Sequence, residues 1–100
     1  MARRVILSEL ARDDRRRILE YFGRRNQSKA YSKKLNEQFS QALRLISSYP
    51  QIGKLTDDKN LRVKIVSHYL IFYEVRKDAI YVLTIWDSRR DPKELEKILR

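Results

Sequence analysis

Residues 61–92 read LRVKIV-SH-YLIFYEVR-KD-AIYVLTIW-DSRRDP, and this stretch decides the fold. It holds three strand-like runs, Leu61–Val66, Tyr69–Arg76 and Ala79–Trp86. In the first, Leu61, Val63 and Ile65 alternate with Arg62 and Lys64, which predicts a half-buried strand with its basic face in solvent. Tyr69-Leu70-Ile71-Phe72-Tyr73 is apolar on both faces, as is Ile80 to Trp86, which suits central strands. The links Ser67-His68 and Lys77-Asp78 are too short for crossovers, so the three strands form an antiparallel meander. Asp91 then reads as a helix N-cap and Pro92 as the first turn, with Leu95, Ile98 and Leu99 facing inward. Arg89 and Arg90 fall between the last strand and this helix, at a junction where side chains often face a ligand. Arginine suits phosphates and carboxylates because its planar fork donates bidentately and stays charged.

Upstream, Val5-Ile6-Leu7 is long enough for one strand. Ser8 reads as the N-cap of a helix running to Phe22, with Glu9 favourable in the first turn and Gly23 as the expected C-terminal cap unless Arg24-Arg25 extend the helix. Ala11, Ile18, Tyr21 and Phe22 lie near one face of it, but Asp14 and Arg15 interrupt the stripe. After Asn26-Gln27, Ser28 caps a second helix whose Tyr31, Leu35, Phe39, Ala42, Leu43 and Ile46 fall at spacings of three and four, a core stripe. Pro50 and Gly53 end it, and Gln51 to Asn60 reads as a polar loop. The order is therefore β-α-α-β-β-β-α. The predicted architecture is an α+β domain, an antiparallel sheet covered by a helical hairpin.

The 100 residues fit one domain, residues 1–100, and the 42% hydrophobic content with only two Gly and two Pro is that of a globular chain. The absence of cysteine excludes disulfides and thiolate metal sites. No apolar run is long enough to span a membrane, and the expected location is the cytoplasm. Lysine and arginine number 23 against 13 acids, a net charge of +10. Small domains are commonly designed for a net charge of about 2–8, so this excess argues for an anionic partner.

Four segments occur in order along the chain: Tyr49-Pro50-Gln51-Ile52-Gly53, Leu61-Arg62-Val63, Tyr69-Leu70-Ile71-Phe72-Tyr73-Glu74-Val75 and Arg89-Arg90-Asp91-Pro92. Together with the element order they resemble the RelE/ParE superfamily of toxins from type II toxin–antitoxin systems, over essentially the whole chain. The resemblance implies a growth-inhibiting toxin neutralised by an acidic antitoxin in a hetero-oligomer. It implies one of two targets: the ribosome with its mRNA, cleaved by RelE-type members, or DNA gyrase, inhibited by ParE-type members.

Metal-free phosphodiester cleavage needs a group to activate the 2′-hydroxyl, a group to protonate the leaving oxygen, and cations for the transition state. Against the RelE-type pattern, Arg62, Lys64 and Arg89 match as catalytic candidates, should the protein be a nuclease. Leu70 stands where the family's nucleases place an arginine, and Leu95 where they place a tyrosine, so the ParE-like reading is preferred. In that reading Arg89, Arg90 and Arg62 bind the target. Leu10, Tyr21 and Phe22, on the weakly amphipathic first helix, are the candidates for antitoxin contact. His68, the one histidine, could act as an acid or base but reads as a solvated turn residue. Arg15-Arg16-Arg17 reads as a solvated charge run. No cluster has metal-ligand spacing, and no cofactor is expected.

Overall fold

The computed structural model describes residues 2–25, 29–58 and 60–99. The elements are β1 (Arg4–Leu7), α1 (Glu9–Arg25), α2 (Ala30–Ser48), β2 (Lys54–Leu55), β3 (Leu61–Val66), β4 (Tyr69–Val75), β5 (Ala79–Asp87) and α3 (Pro92–Leu99). One sheet forms in the order β1-β5-β4-β3-β2, with β4 at its centre. The meander is antiparallel, with Val66 opposite Tyr69 and Tyr69 opposite Asp87. Ser67 takes a positive φ of 55° in the two-residue turn between β3 and β4.

The sheet departs from the sequence expectation in two ways. It is mixed, because β1 runs parallel to β5 with Arg4 opposite Ala79 and Leu7 opposite Val82. The short-link argument governs only the meander, whereas the helical hairpin between β1 and the meander is long enough for a parallel return. The sheet also has an extra strand, β2, drawn from the polar loop and paired as Lys54–Val63 and Leu55–Arg62. Two residues on a sheet edge leave no alternation for the sequence to reveal.

The α1 N-terminus forms as its sequence dictates. The Ser8 Oγ accepts the Ala11 N–H at 3.0 Å and donates to the Leu83 carbonyl at 2.7 Å, so the cap also ties the helix to β5. The C-terminus takes the longer of the two ends that the sequence allows. Gly23 lies inside the helix, which continues to Arg25. A glycine there costs about 1 kcal/mol relative to alanine. Contacts to α2 offset that cost: Phe22 packs edge-on to Tyr31 at 4.8 Å, and the Ser32 hydroxyl donates to the Leu19 carbonyl at 2.9 Å. The expected link Asn26-Gln27 and cap Ser28 lie outside the described residues.

The core has two parts. Leu35, Phe39, Ala42, Leu43 and Ile46 of α2, with Ala11 of α1, pack on Tyr69, Ile71 and Tyr73 of β4 and Ile80, Val82 and Ile85 of β5. Tyr31, expected on the same stripe, is 37% exposed and serves as a rim. On the other side of the sheet, Leu61, Phe72 and Trp86 are covered by Leu95, Ile98 and Leu99 of α3. The helical hairpin thus covers one face and α3 the other. Between Phe72 and Tyr73 the β4–β5 register slips by one residue, so that Thr84 opposes Phe72 while Val82 opposes Tyr73. This is a β-bulge, and it re-aims the C-terminal half of β5.

Candidate functional site

The end of β5 turns sharply. Asp87 accepts the Arg89 N–H at 2.9 Å, and its carbonyl accepts the Arg90 N–H at 3.1 Å. Ser88 donates its N–H to the His68 carbonyl at 2.9 Å, which pins this turn to the β3–β4 turn. Asp91 accepts the Lys93 N–H at 3.0 Å and caps α3, as its sequence position requires. The arginine doublet is thereby held between two ordered turns.

Arg89 grips Asp87 through two parallel bonds, Nε to Oδ1 and Nη2 to Oδ2, both 2.9 Å. More than half of the Arg89 side chain stays exposed. The bond from Arg89 holds the Asp87 carboxyl below the usual carboxylate range, with burial opposing and His68 adding a small downward pull. The same pair raises the Arg89 pKa, so its charge is permanent. Tyr69, opposite Asp87 and buried, has its pKa raised, first by burial and then by the Asp87 charge, while Arg89 pulls the other way. Arg90 points elsewhere. Its guanidinium lies 4.2 Å over the Trp86 ring and donates to Glu94 Oε2 at 2.9 Å.

These groups line a cavity of about 620 Å³ between α1 and the end of the sheet. Ile18, Tyr21 and Phe22 form its α1 wall, Tyr69 and Ile85 its floor, and Arg17, Arg89 and Arg90 its cationic border. Tyr21 is 51% exposed and meets Phe22 edge-on at 5.1 Å. Two sets of candidates that the sequence treated separately therefore share one cavity: Arg89 and Arg90 for the target, Tyr21 and Phe22 for the antitoxin. Leu10, 37% exposed, is not among the lining residues.

Asp14, in the sequence only a break in the apolar stripe, is a structural residue of the site. It is buried, accepting the Thr84 hydroxyl at 2.5 Å, the Ile85 N–H at 3.1 Å and Arg17 Nη2 at 2.7 Å. The bulge in β5 delivers both of the first two donors. Asp14 thus fixes the cavity floor, and the one available signal was a carboxylate on an otherwise inward face followed by arginine three residues on. Arg15 is likewise not merely solvated. It donates to the Asn36 side chain at 2.7 Å and to the Ser40 hydroxyl at 2.7 Å, and so ties α1 to α2.

Arg62 and Lys64 lie elsewhere on the sheet. Arg62 sits opposite Tyr73, and its Nη1 donates to the Gly53 carbonyl at 2.8 Å and the Gln51 carbonyl at 3.2 Å. Lys64, half-buried, sits opposite Ile71. Tyr73 and Tyr69 are four residues apart on β4, about 13 Å along the strand. The structure therefore brings Arg89, Arg90, Tyr21 and Phe22 together but does not converge Arg62, Lys64 and Arg89. His68 is an exposed turn residue beside Asp87. No helix among the described residues is long and apolar enough to cross a membrane.

A family model described as the ParE toxin of the type II toxin–antitoxin system, parDE, matches residues 5–92. No curated protein matches the chain significantly.

Proposed function

The chain belongs to the ParE toxin family of type II toxin–antitoxin systems, and we propose that it arrests growth by binding DNA gyrase, with the Arg89 corner as its contact surface. One observation carries the proposal. The cavity bordered by Arg89 joins permanent cations to the exposed Tyr21 and the half-buried Phe22. That mixture suits a protein target, because arginine and aromatic residues dominate the binding energy of protein interfaces. The cations that a nuclease would need to gather are divided between β3 and the turn after β5, with Arg62 already committed to two backbone carbonyls. A cleavage site needs its groups around one phosphate, within about 3 Å of the reacting atoms.

Family membership implies an antitoxin partner. In this reading an acidic antitoxin segment covers Tyr21 and Phe22 and thereby closes the same cavity to the target. Neutralisation is then occlusion, with no change of fold required. The test is to express the chain alone and assay gyrase supercoiling and ribosome-dependent mRNA cleavage in parallel. Inhibited supercoiling with intact mRNA is the expected result, relieved by co-expressing its antitoxin. Cleaved mRNA with normal supercoiling would replace this reading with the RelE-like endonuclease.

A further inference from the structure

We infer that the outer groove of the helical hairpin binds the phosphate backbone of duplex DNA without regard to sequence. Two hollows of about 410 Å³ each lie along it, and they share Leu19 and Glu20 in their linings, so they are contiguous. Arg12, Arg16, Glu20 and Arg24 follow each other at steps of four and form one row on α1. At 1.5 Å per residue the row runs about 18 Å. Lys29 and Lys33 line the same groove from the α2 side. Glu20 is the one acid in either lining.

Four of the groove's cations are not already neutralised. Arg16 pairs with Asp13, and Arg15 is spent on α2. Arg12, Arg24, Lys29 and Lys33 are exposed, and their side chains make no hydrogen bond or ion pair among the described residues. Such a row repels itself and raises the local anion concentration.

The lining also selects the kind of anion. It contains no aromatic side chain, so it offers no stacking platform for unpaired bases. Of its neutral polar groups, the Asn36 carbonyl oxygen is committed to Arg15 and the Ser32 hydroxyl proton to the Leu19 carbonyl. The Asn36 amide is the one neutral donor left, too little to read a base sequence, which leaves the phosphates as the main feature recognised. Leu7 and Leu19 are its only apolar side chains, too few for the row of anchors by which an amphipathic helix docks.

The test is fluorescence anisotropy of the full chain with a labelled random-sequence DNA duplex of about 20 bp over a range of salt. The combined variant Arg12→Gln, Arg24→Gln, Lys33→Gln should lose about tenfold or more in affinity, and its log–log salt slope should shrink by about 2–3. A control, Lys54→Gln, Lys77→Gln, Lys97→Gln, removes the same charge away from the groove and should bind like the wild type. Circular dichroism melts check that both remain folded. The single variant Arg12→Gln, with an expected slope change of about 1, serves if the triple does not fold. Equal losses in the groove and control variants would overturn the inference, since net charge alone would then suffice. Tighter binding of single-stranded DNA, duplex RNA or polyglutamate than of the DNA duplex would overturn it too.

Discussion

Strand β4 carries a buried tyrosine near each end, Tyr69 and Tyr73, both packed beneath the helical hairpin and each beside an arginine. At the Tyr73 end the polar groups close on one another. The Tyr73 hydroxyl accepts the Gly53 N–H at 2.8 Å and donates to the Pro50 carbonyl at 2.8 Å, while Arg62 caps the Gln51 and Gly53 carbonyls. Burial raises the Tyr73 pKa, and the Gly53 N–H and Arg62 offset part of that rise. At the Tyr69 end the arginine grips a turn carboxylate and stays more than half exposed on the rim of a cavity. The residue types are the same, but the surroundings differ. An arginine that meets unpaired loop carbonyls satisfies the backbone, because buried carbonyls are costly to leave alone. An arginine that meets a carboxylate at a turn keeps donors for a ligand.

The sharpest way to break this contrast is at the closed end. A Cβ on Gly53 would fall 2.4 Å from the Tyr73 hydroxyl oxygen, inside any real contact. Gly53→Ala must displace that ring and its two hydrogen bonds, and the expected cost is about 3 kcal/mol, read from urea unfolding. Tyr73→Phe removes the hydroxyl without the clash and should cost about 1–3 kcal/mol, the range for orphaned buried partners. Neither loss should be matched by substituting Arg89. If both variants unfold at the wild-type midpoint, the closed end is not structural and the contrast fails.

The open end contains one residue that behaves like the closed end. Asp14→Ala would leave the Thr84 hydroxyl and the Ile85 N–H unpartnered in a buried site. The expected destabilisation is about 2 kcal/mol by the same measurement. Because these donors sit on the β5 bulge, the cavity floor should loosen as well. Amide exchange at Ile85 should rise more than at Ile80, which lies on the other side of the bulge. Equal exchange at both positions would mean that Asp14 does not hold the bulge.

How these residues read in the sequence follows from the range of the interactions. The meander was legible because strand alternation and two-residue links are local, and α2 was legible because five of its six stripe positions are buried. The α3 cap at Asp91 is local too. β2 is too short to show alternation, and the parallel pairing of β1 depends on a partner far along the chain, at Ala79 to Val82. So does the use of Arg62: alternation placed it on a basic strand face but could not show that a loop from residues 51–53 folds under it. Asp14 was visible as an anomaly, and its partners at Thr84 and Ile85 were not. For the site, the doublet Arg89-Arg90 and the aromatic pair Tyr21-Phe22 were each legible, but their shared cavity was not.

Arg89→Ala separates the two ends by function instead of stability. The Asp87–Arg89 pair is partly exposed, so its loss should cost no more than about 1 kcal/mol. Soluble, folded Arg89→Ala should nevertheless lose toxicity while still binding its antitoxin, whose proposed contacts at Tyr21 and Phe22 are untouched. Arg90→Ala should be milder, because Arg90 is occupied by Trp86 and Glu94. Full toxicity from both variants would remove the doublet from the mechanism. Toxicity lost only in Arg90→Ala would move the contact to the Trp86 side of the sheet.

The smallest expected effect is on pH dependence, and it tests whether the open corner is held as tightly as its geometry suggests. Asp87 has a folded-state pKa depressed below its unfolded value, chiefly by the Arg89 bond. The unfolded carboxyl titrates near 3.9. The stabilisation is therefore fully present above that value and is lost as pH falls through it toward the lower folded-state value. The pair stabilises by about 1 kcal/mol at most, being partly exposed. Urea midpoints of the wild type should fall more steeply below about pH 4 than those of Asp87→Asn, whose amide cannot titrate. The two proteins should run parallel from about pH 5 to 8, where Asp87 stays ionised. Parallel curves through the acid range as well would mean that Asp87 and Arg89 are not coupled in solution. Arg89 would then swing free on the cavity rim, and the open corner would owe its cation to the chain turn alone.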